Sequence, residues 1–144
     1  MRTEKIVTIY PTIIKAGLAI NHFMPPDPLV FVKEYPTSCS FYLTSLIYFE
    51  NGKKYTTELD VSLNGESVLQ DSDNDDNSME TFMFSHINES SILVGSSLFI
   101  KNVNLIESGI YDITFKLYEE VEGILGDMID EKTCAIISTL QARS

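Results

Sequence analysis

The chain has 144 residues and a formal net charge of −11, from 21 acidic and 10 basic residues. A domain of this length buries roughly 70% of its unfolded surface, so we expect a single domain over residues 1–144. The acidic balance argues against binding to nucleic acid or to an anionic membrane, because both need clustered Lys and Arg at the contact.

The N-terminal part of the chain predicts strands rather than helices. Ile6, Thr8 and Tyr10 alternate with other side chains, and Pro11 separates them from a second apolar run over residues 13–20. The Pro-rich segment 25–28 is a rigid, non-helical connector, and a short strand is predicted after it at 29–32.

The strongest short hairpin signal is Asn51-Gly52, because a type I′ turn needs positive φ at both central residues. A two-residue turn here would pair Glu50 with Lys53 and continue outwards along both strands. We therefore predict an antiparallel hairpin over residues 39–63. Tyr42, Leu46 and Tyr48 would lie on one face of it, beside bulky residues of the partner strand.

The first strand of this predicted hairpin is apolar on both faces. The face opposite Tyr42 carries Phe41, Leu43, Ile47 and Phe49. Two explanations are open: a middle strand covered by the N-terminal segment, or an exposed patch that serves association. The second explanation would give those four side chains a role in binding a partner or another copy of the chain.

The rest of the chain also reads as strands and turns. Asn64-Gly65 predicts another turn followed by a strand over 66–69. Further strands are expected at 79–87, 92–103, 110–118 and 128–140. No stretch shows the apolar spacing of an amphipathic helix. The expected fold is a single all-β antiparallel sandwich of about eight strands with little helix.

A tight corner over Glu107-Ser-Gly109-Ile-Tyr111 joins two of these strands. Its acidic-x-Gly-x-Tyr order resembles the E–F corner of immunoglobulin-like sandwiches, where a tyrosine hydroxyl fixes the corner backbone. The resemblance implies immunoglobulin-like last strands and a structural role for Glu107, Gly109 and Tyr111. Immunoglobulin domains carry Cys two residues after this Tyr, and this chain has Ile113. The chain is also similar to small uncharacterised bacterial single-domain sandwich proteins, a likeness that implies no activity.

The acidity is concentrated in two segments, which we expect to form loops at 71–78 and 119–127. Residues 71–80 and 119–131 carry five and six acidic residues and no basic one. Asp71, Asp73, Asp75 and Asp76 suggest a calcium loop, but an EF-hand pattern would require Gly where Asp76 stands. A solvated loop is the main interpretation, and a Ca²⁺ site is the alternative.

Catalytic patterns are missing from the sequence. His22, His86, Cys39 and Cys134 have neither the spacing of a zinc site nor the flanking residues of a nucleophile and base. Phosphate-cradling and nucleophile-elbow motifs do not occur. We therefore expect no enzyme activity and no cofactor. With no secretory signal or apolar span, the expected location is cytoplasmic with reduced thiols.

These observations predict a non-enzymatic protein-interaction or structural module. It would associate with itself through a sheet face or edge, or present its acidic loops to a basic protein partner. Two alternatives are a Ca²⁺-binding sandwich that uses the 71–76 loop and an acidic phage-type inhibitor or decoy. A nucleic-acid mimic needs charge spread along a face, whereas here the charge lies in two segments.

Overall fold

The computed structural model describes residues 3–15, 24–69 and 79–141, and these form strands and connections without a helix. The prediction of an all-β sandwich is therefore confirmed. The strands of the described residues are β1 (Lys5–Ile13), β2 (Leu29–Val32), β3 (Thr37–Glu50), β4 (Lys54–Leu63), β5 (Glu66–Ser67), β6 (Met79–His86), β7 (Ser91–Leu105), β8 (Gly109–Val121) and β9 (Ile124–Leu140).

The strands form two sheets whose apolar faces share one core. The four-stranded sheet has the order β1-β3-β7-β6, and the five-stranded sheet has the order β2-β9-β8-β4-β5. Neighbouring strands are antiparallel except β2 and β9, which run parallel. Alternating side chains of β3 and β7 meet those of β8 in the core, where Phe41, Ile100 and Phe115 are fully buried.

The predicted 39–63 hairpin is wrong. β3 pairs with β1 and β7, whereas β4 pairs with β8 and β5 in the other sheet. Gly52 has a positive φ of 84°, but Asn51 does not, and its N–H donates to the Ser90 carbonyl at 2.7 Å. A type I′ turn needs both residues at positive φ, so residues 51–53 instead carry the chain from one sheet to the other.

The interaction surface predicted at Phe41, Leu43, Ile47 and Phe49 is also wrong. The first three side chains are at most 2% exposed, and Phe49 packs against the core from its edge. The physical reason is the sheet assignment. β3 is a middle strand between β1 and β7, as the first explanation supposed, but the opposing sheet covers this face rather than the N-terminal segment.

The predicted loop over 119–127 is wrong for a different reason. β8 continues to Val121 and β9 begins at Ile124, so only Glu122 and Gly123 form the turn. Their φ values of 53° and 78° are those of a type I′ turn, whose twist matches that of the flanking strands. The second acidic segment is therefore a tight hairpin.

Three connections meet at one end of the sandwich, which we call the hairpin end. They are the 51–53 segment, the 87–90 loop between β6 and β7, and the 122–123 turn. The Asn51–Ser90 hydrogen bond joins the first two, and the pairing of Lys54 with Glu120 places the third beside the start of β4.

Candidate functional site

The corner predicted around Tyr111 has the geometry of a backbone clamp. The Tyr111 side chain is fully buried, and its hydroxyl donates to the Glu107 carbonyl at 2.7 Å. The same oxygen accepts the N–H of Ile106 at 2.9 Å and the N–H of Glu107 at 3.1 Å. Gly109 follows with a φ of 155°. One buried hydroxyl thus holds three backbone groups of the corner, which is a structural role.

The β8–β9 hairpin exposes an apolar cluster at its end. The aliphatic tip consists of side chains that are about half exposed or more: Val121 (52%), Ile124 (70%), Leu125 (48%) and Met128 (50%). Sequence reasoning missed it because the acidic residues of 119–131 indicated a solvated loop. The signal that was present is a Gly at the second turn position between two β-branched residues, Val121 and Ile124.

Carboxylates surround the aliphatic tip. Glu122 and Asp127 are exposed beside it. Glu120 and Asp130 lie further along the two strands and hold the hairpin in place: Glu120 accepts the Thr56 hydroxyl at 3.3 Å, and Asp130 accepts the Ile6 N–H at 2.8 Å. The result is a hairpin end with exposed apolar side chains and carboxylates, bonded to β1 and β4.

Tyr55 supports the hairpin end from within. Its hydroxyl donates to the buried Glu4 carboxylate at 3.0 Å and accepts the Glu50 N–H at 3.1 Å. Its ring packs on Phe49 with centroids 4.5 Å apart. Burial, with a further contribution from Glu4, raises the pKa of Tyr55 to about 12. The Lys53 ammonium lies 2.6 Å from the Glu50 carboxylate, and this ion pair joins the two ends of the 51–53 segment.

The outward face of the four-stranded sheet carries a second apolar surface, which we call the outer patch. By strand register it comprises Tyr42, Leu46 and Tyr48 of β3, Phe82 and Met83 of β6, and Leu93 and Phe99 of β7. None of them belongs to the core cluster of the described residues, and Phe99 is 38% exposed. The rings of Tyr42 and Phe99 lie 5.3 Å apart.

Gly95 makes room for this arrangement. A Cβ added there would lie 3.0 Å from Phe82 Cε2 and 3.1 Å from Leu46 Cδ2. Because the position has no side chain, the Phe82 ring can approach β7 closely at the bulge in β6.

The structure describes both thiols and one histidine, His86. Cys39 and Cys134 are free, and burial raises their pKa values to about 11 and about 12, so both remain protonated near neutral pH. Cys39 borders an open groove of about 790 Å³ between β1, β2 and β3. The His86 ring packs edge-on against Phe84 at 5.2 Å.

The remaining predicted positions are not covered by the structure. Asp71, Asp73, Asp75, Asp76 and His22 lie outside the described residues. Within the ranges that are described, no group of three or more His, Cys, Asp or Glu side chains is placed to hold a metal ion. The Ca²⁺ and decoy hypotheses stay predictions.

The comparisons with known proteins add no relative. No protein-family model, no curated protein and no solved structure matches this chain. Across the described ranges, no helix has the length and apolar character needed to span a membrane.

Proposed function

We propose that the chain is a non-enzymatic protein-interaction module on an immunoglobulin-like sandwich. The strand order supports the immunoglobulin-like fold. In spatial order within each sheet, β1, β3, β7 and β6 take the places of strands A, B, E and D, and β9, β8 and β4 those of G, F and C. The Tyr111 clamp at the connection between β7 and β8 supports it too. Because a fold carries no function by itself, the role is argued from the surface.

The aliphatic tip is the observation that carries the proposal. Exposed aliphatic side chains at a hairpin end contribute nothing to the core, and each leaves apolar area in water that a partner can bury. The tip is held rigidly through Asp130 and Glu120. A partner therefore does not have to order a loose loop, and the entropic cost of binding is reduced.

The acidic border specifies the chemistry of the partner. Glu122 and Asp127 favour a protein with an apolar cleft rimmed by Lys and Arg, because opposite charges across the rim steer association. The same carboxylates repel acidic proteins and anionic membranes. Two free thiols fit the cytoplasmic location expected from the sequence, and that location stays a prediction.

The test is affinity capture from a lysate of the organism that makes the protein. Three baits are compared: the unchanged chain, an Ile124→Ser/Leu125→Ser double variant, and the control Ile110→Ser. Ile110 is 58% exposed on the outer face of β8, away from the tip. A partner retained by the unchanged chain and the control but lost by the tip variant supports the proposal.

Ionic strength gives the second readout. Capture through an acidic rim should weaken between about 50 mM and about 500 mM salt, because the screening length shortens several-fold. If all three baits retain the same proteins, or if binding is insensitive to salt, the proposal is wrong.

A further inference from the structure

We propose that the outer patch is the interface of a weak, reversible dimer of this chain. This surface is separate from the aliphatic tip, since it belongs to the four-stranded sheet and the tip belongs to the five-stranded one. The inference therefore stands independently of the function proposed above.

The first observation is that the middle of this face carries no charge on its two central strands; Glu50 ends β3, and Lys101 lies beyond Phe99 on β7. The outward positions of this stretch are Tyr42, Thr44, Leu46 and Tyr48 on β3, and Leu93, Gly95, Ser97 and Phe99 on β7; Phe99 is exposed, Thr44 and Gly95 are buried, and the others are half-buried. An antiparallel sheet with one face in water normally alternates apolar-in and polar-out. The five-stranded sheet follows that rule on β4, whose outward positions Thr56, Glu58, Asp60 and Ser62 are polar.

The second observation concerns where the negative charge lies. Two chains that each carry −11 repel each other, so a contact between copies needs a surface away from the carboxylates. Exposed Glu58 and Asp60 lie on the other sheet, as do Glu122 and Asp127 at the tip. Between Tyr42 and Tyr48 on β3, and between Leu93 and Phe99 on β7, a basic partner would find no carboxylate to pair with, whereas a second copy brings the same uncharged, Tyr-containing surface.

A two-fold arrangement then follows from self-complementarity. The same patch on both copies meets itself, as in most homodimers, and two sheet faces pack with their strands roughly aligned. Tyr and Phe are enriched at such interfaces because they bury a large area with few rotatable bonds.

The size of the patch sets the strength of the dimer. Three strands about 4.8 Å apart, over six steps of about 3.3 Å, give a footprint of about 300 Å². That is the lower end of the roughly 300–600 Å² of the largest apolar patch of a monomer, which is often functional. It is well below the roughly 800 Å² per partner of a tight complex, so we expect a dissociation constant on the order of 10–100 μM.

Sedimentation velocity over about 1 to about 500 μM protein, a span that brackets the expected constant, provides the test. The unchanged chain should pass from monomer to dimer. Phe99→Glu should remain monomeric, with a dissociation constant raised at least about tenfold, because a buried unpaired carboxylate faces its copy. The matched control is Ile137→Glu, which adds the same charge at a 42% exposed position on the outer face of β9 and should still dimerise.

Circular dichroism and a thermal melt establish that each variant is folded. If Phe99→Glu does not fold, Leu93→Ser replaces it with the same expectation. A monomer at every concentration of the unchanged chain overturns the proposal, as does a Phe99→Glu dimer or an equal loss in Ile137→Glu. Ile124→Ser should still dimerise even where it abolishes partner capture, so the failures of the two proposals are distinguishable.

Discussion

Removing one oxygen atom from the corner between β7 and β8 is the sharpest test of how this sandwich is held together. Tyr111→Phe keeps the buried ring and deletes the hydroxyl that bonds to three backbone groups of Ile106 and Glu107. The core packing is unchanged, so any loss of stability reports on the hydrogen bonds alone.

The expected loss follows from those three bonds. Each intramolecular hydrogen bond contributes about 0.5–1.5 kcal/mol net, which gives roughly 1.5–4.5 kcal/mol for the set. Because Ile106 and Glu107 are exposed, water replaces part of what their backbone groups lose. We therefore expect the free energy of unfolding to fall by about 2 kcal/mol.

Urea denaturation measures this difference directly. The midpoint should fall while the slope with denaturant stays constant, since the surface exposed on unfolding does not change. Tyr118→Phe, at a half-buried position on the same strand, is the control and should change stability by less than about 0.5 kcal/mol. If Tyr111→Phe is as stable as Tyr118→Phe, the hydroxyl does not hold the corner and the reasoning fails.

Three further predictions concern packing and titration. Gly95→Ala should destabilise the fold by about 1–3 kcal/mol in urea, because its Cβ would press on the Phe82 ring; equal stability would contradict this. The raised pKa of Tyr55 favours its protonated form in the folded state, so that contribution to stability is complete below about pH 10 and lost as pH approaches 12. In Tyr55→Phe the melting temperature should therefore depend less on pH between about pH 10 and about pH 12. An unchanged pH dependence would contradict this prediction. Cys39 and Cys134, with pKa values raised to about 11 and about 12, should react slowly with a thiol reagent at pH 8 until urea unfolds the chain.

Local sequence features predicted the elements of this fold well. The corner at Tyr111 and the turn at Asn64-Gly65 both depend on residues next to each other in the chain. The Asn64 and Gly65 φ values of 52° and 86° are those that the dipeptide favours. Even at the failed hairpin, the expected ion pair between Glu50 and Lys53 forms at 2.6 Å. These features were predicted correctly because they depend only on residues that are close together in the sequence.

Strand pairing was not predictable in the same way. Alternation assigns Phe41 and Tyr42 to opposite faces of β3, but it does not say which face meets the core. With both faces apolar, the neighbouring strands decide, and β1 and β7 lie far away in sequence. The predicted partner, β4, would have placed Tyr42 inside. Pairing with β7 places Phe41 inside instead. The side chains of β3 that point away from the core are therefore those on the Tyr42 face, opposite to the face predicted for interaction.

The two proposed surfaces have a joint consequence for how the protein would act. A dimer formed through the outer patches keeps the five-stranded sheets, with their carboxylates, on the outside of the pair. The aliphatic tips of both copies then remain accessible, and the dimer presents two identical binding elements. Because two linked contacts bind a multivalent partner far more tightly than one, a weak dimer would make binding depend on protein concentration as well as on the tip. In this proposal the stretch of β3 from Tyr42 to Tyr48 would let two strongly acidic chains meet, and the acidic border of the β8–β9 hairpin would select what the pair binds.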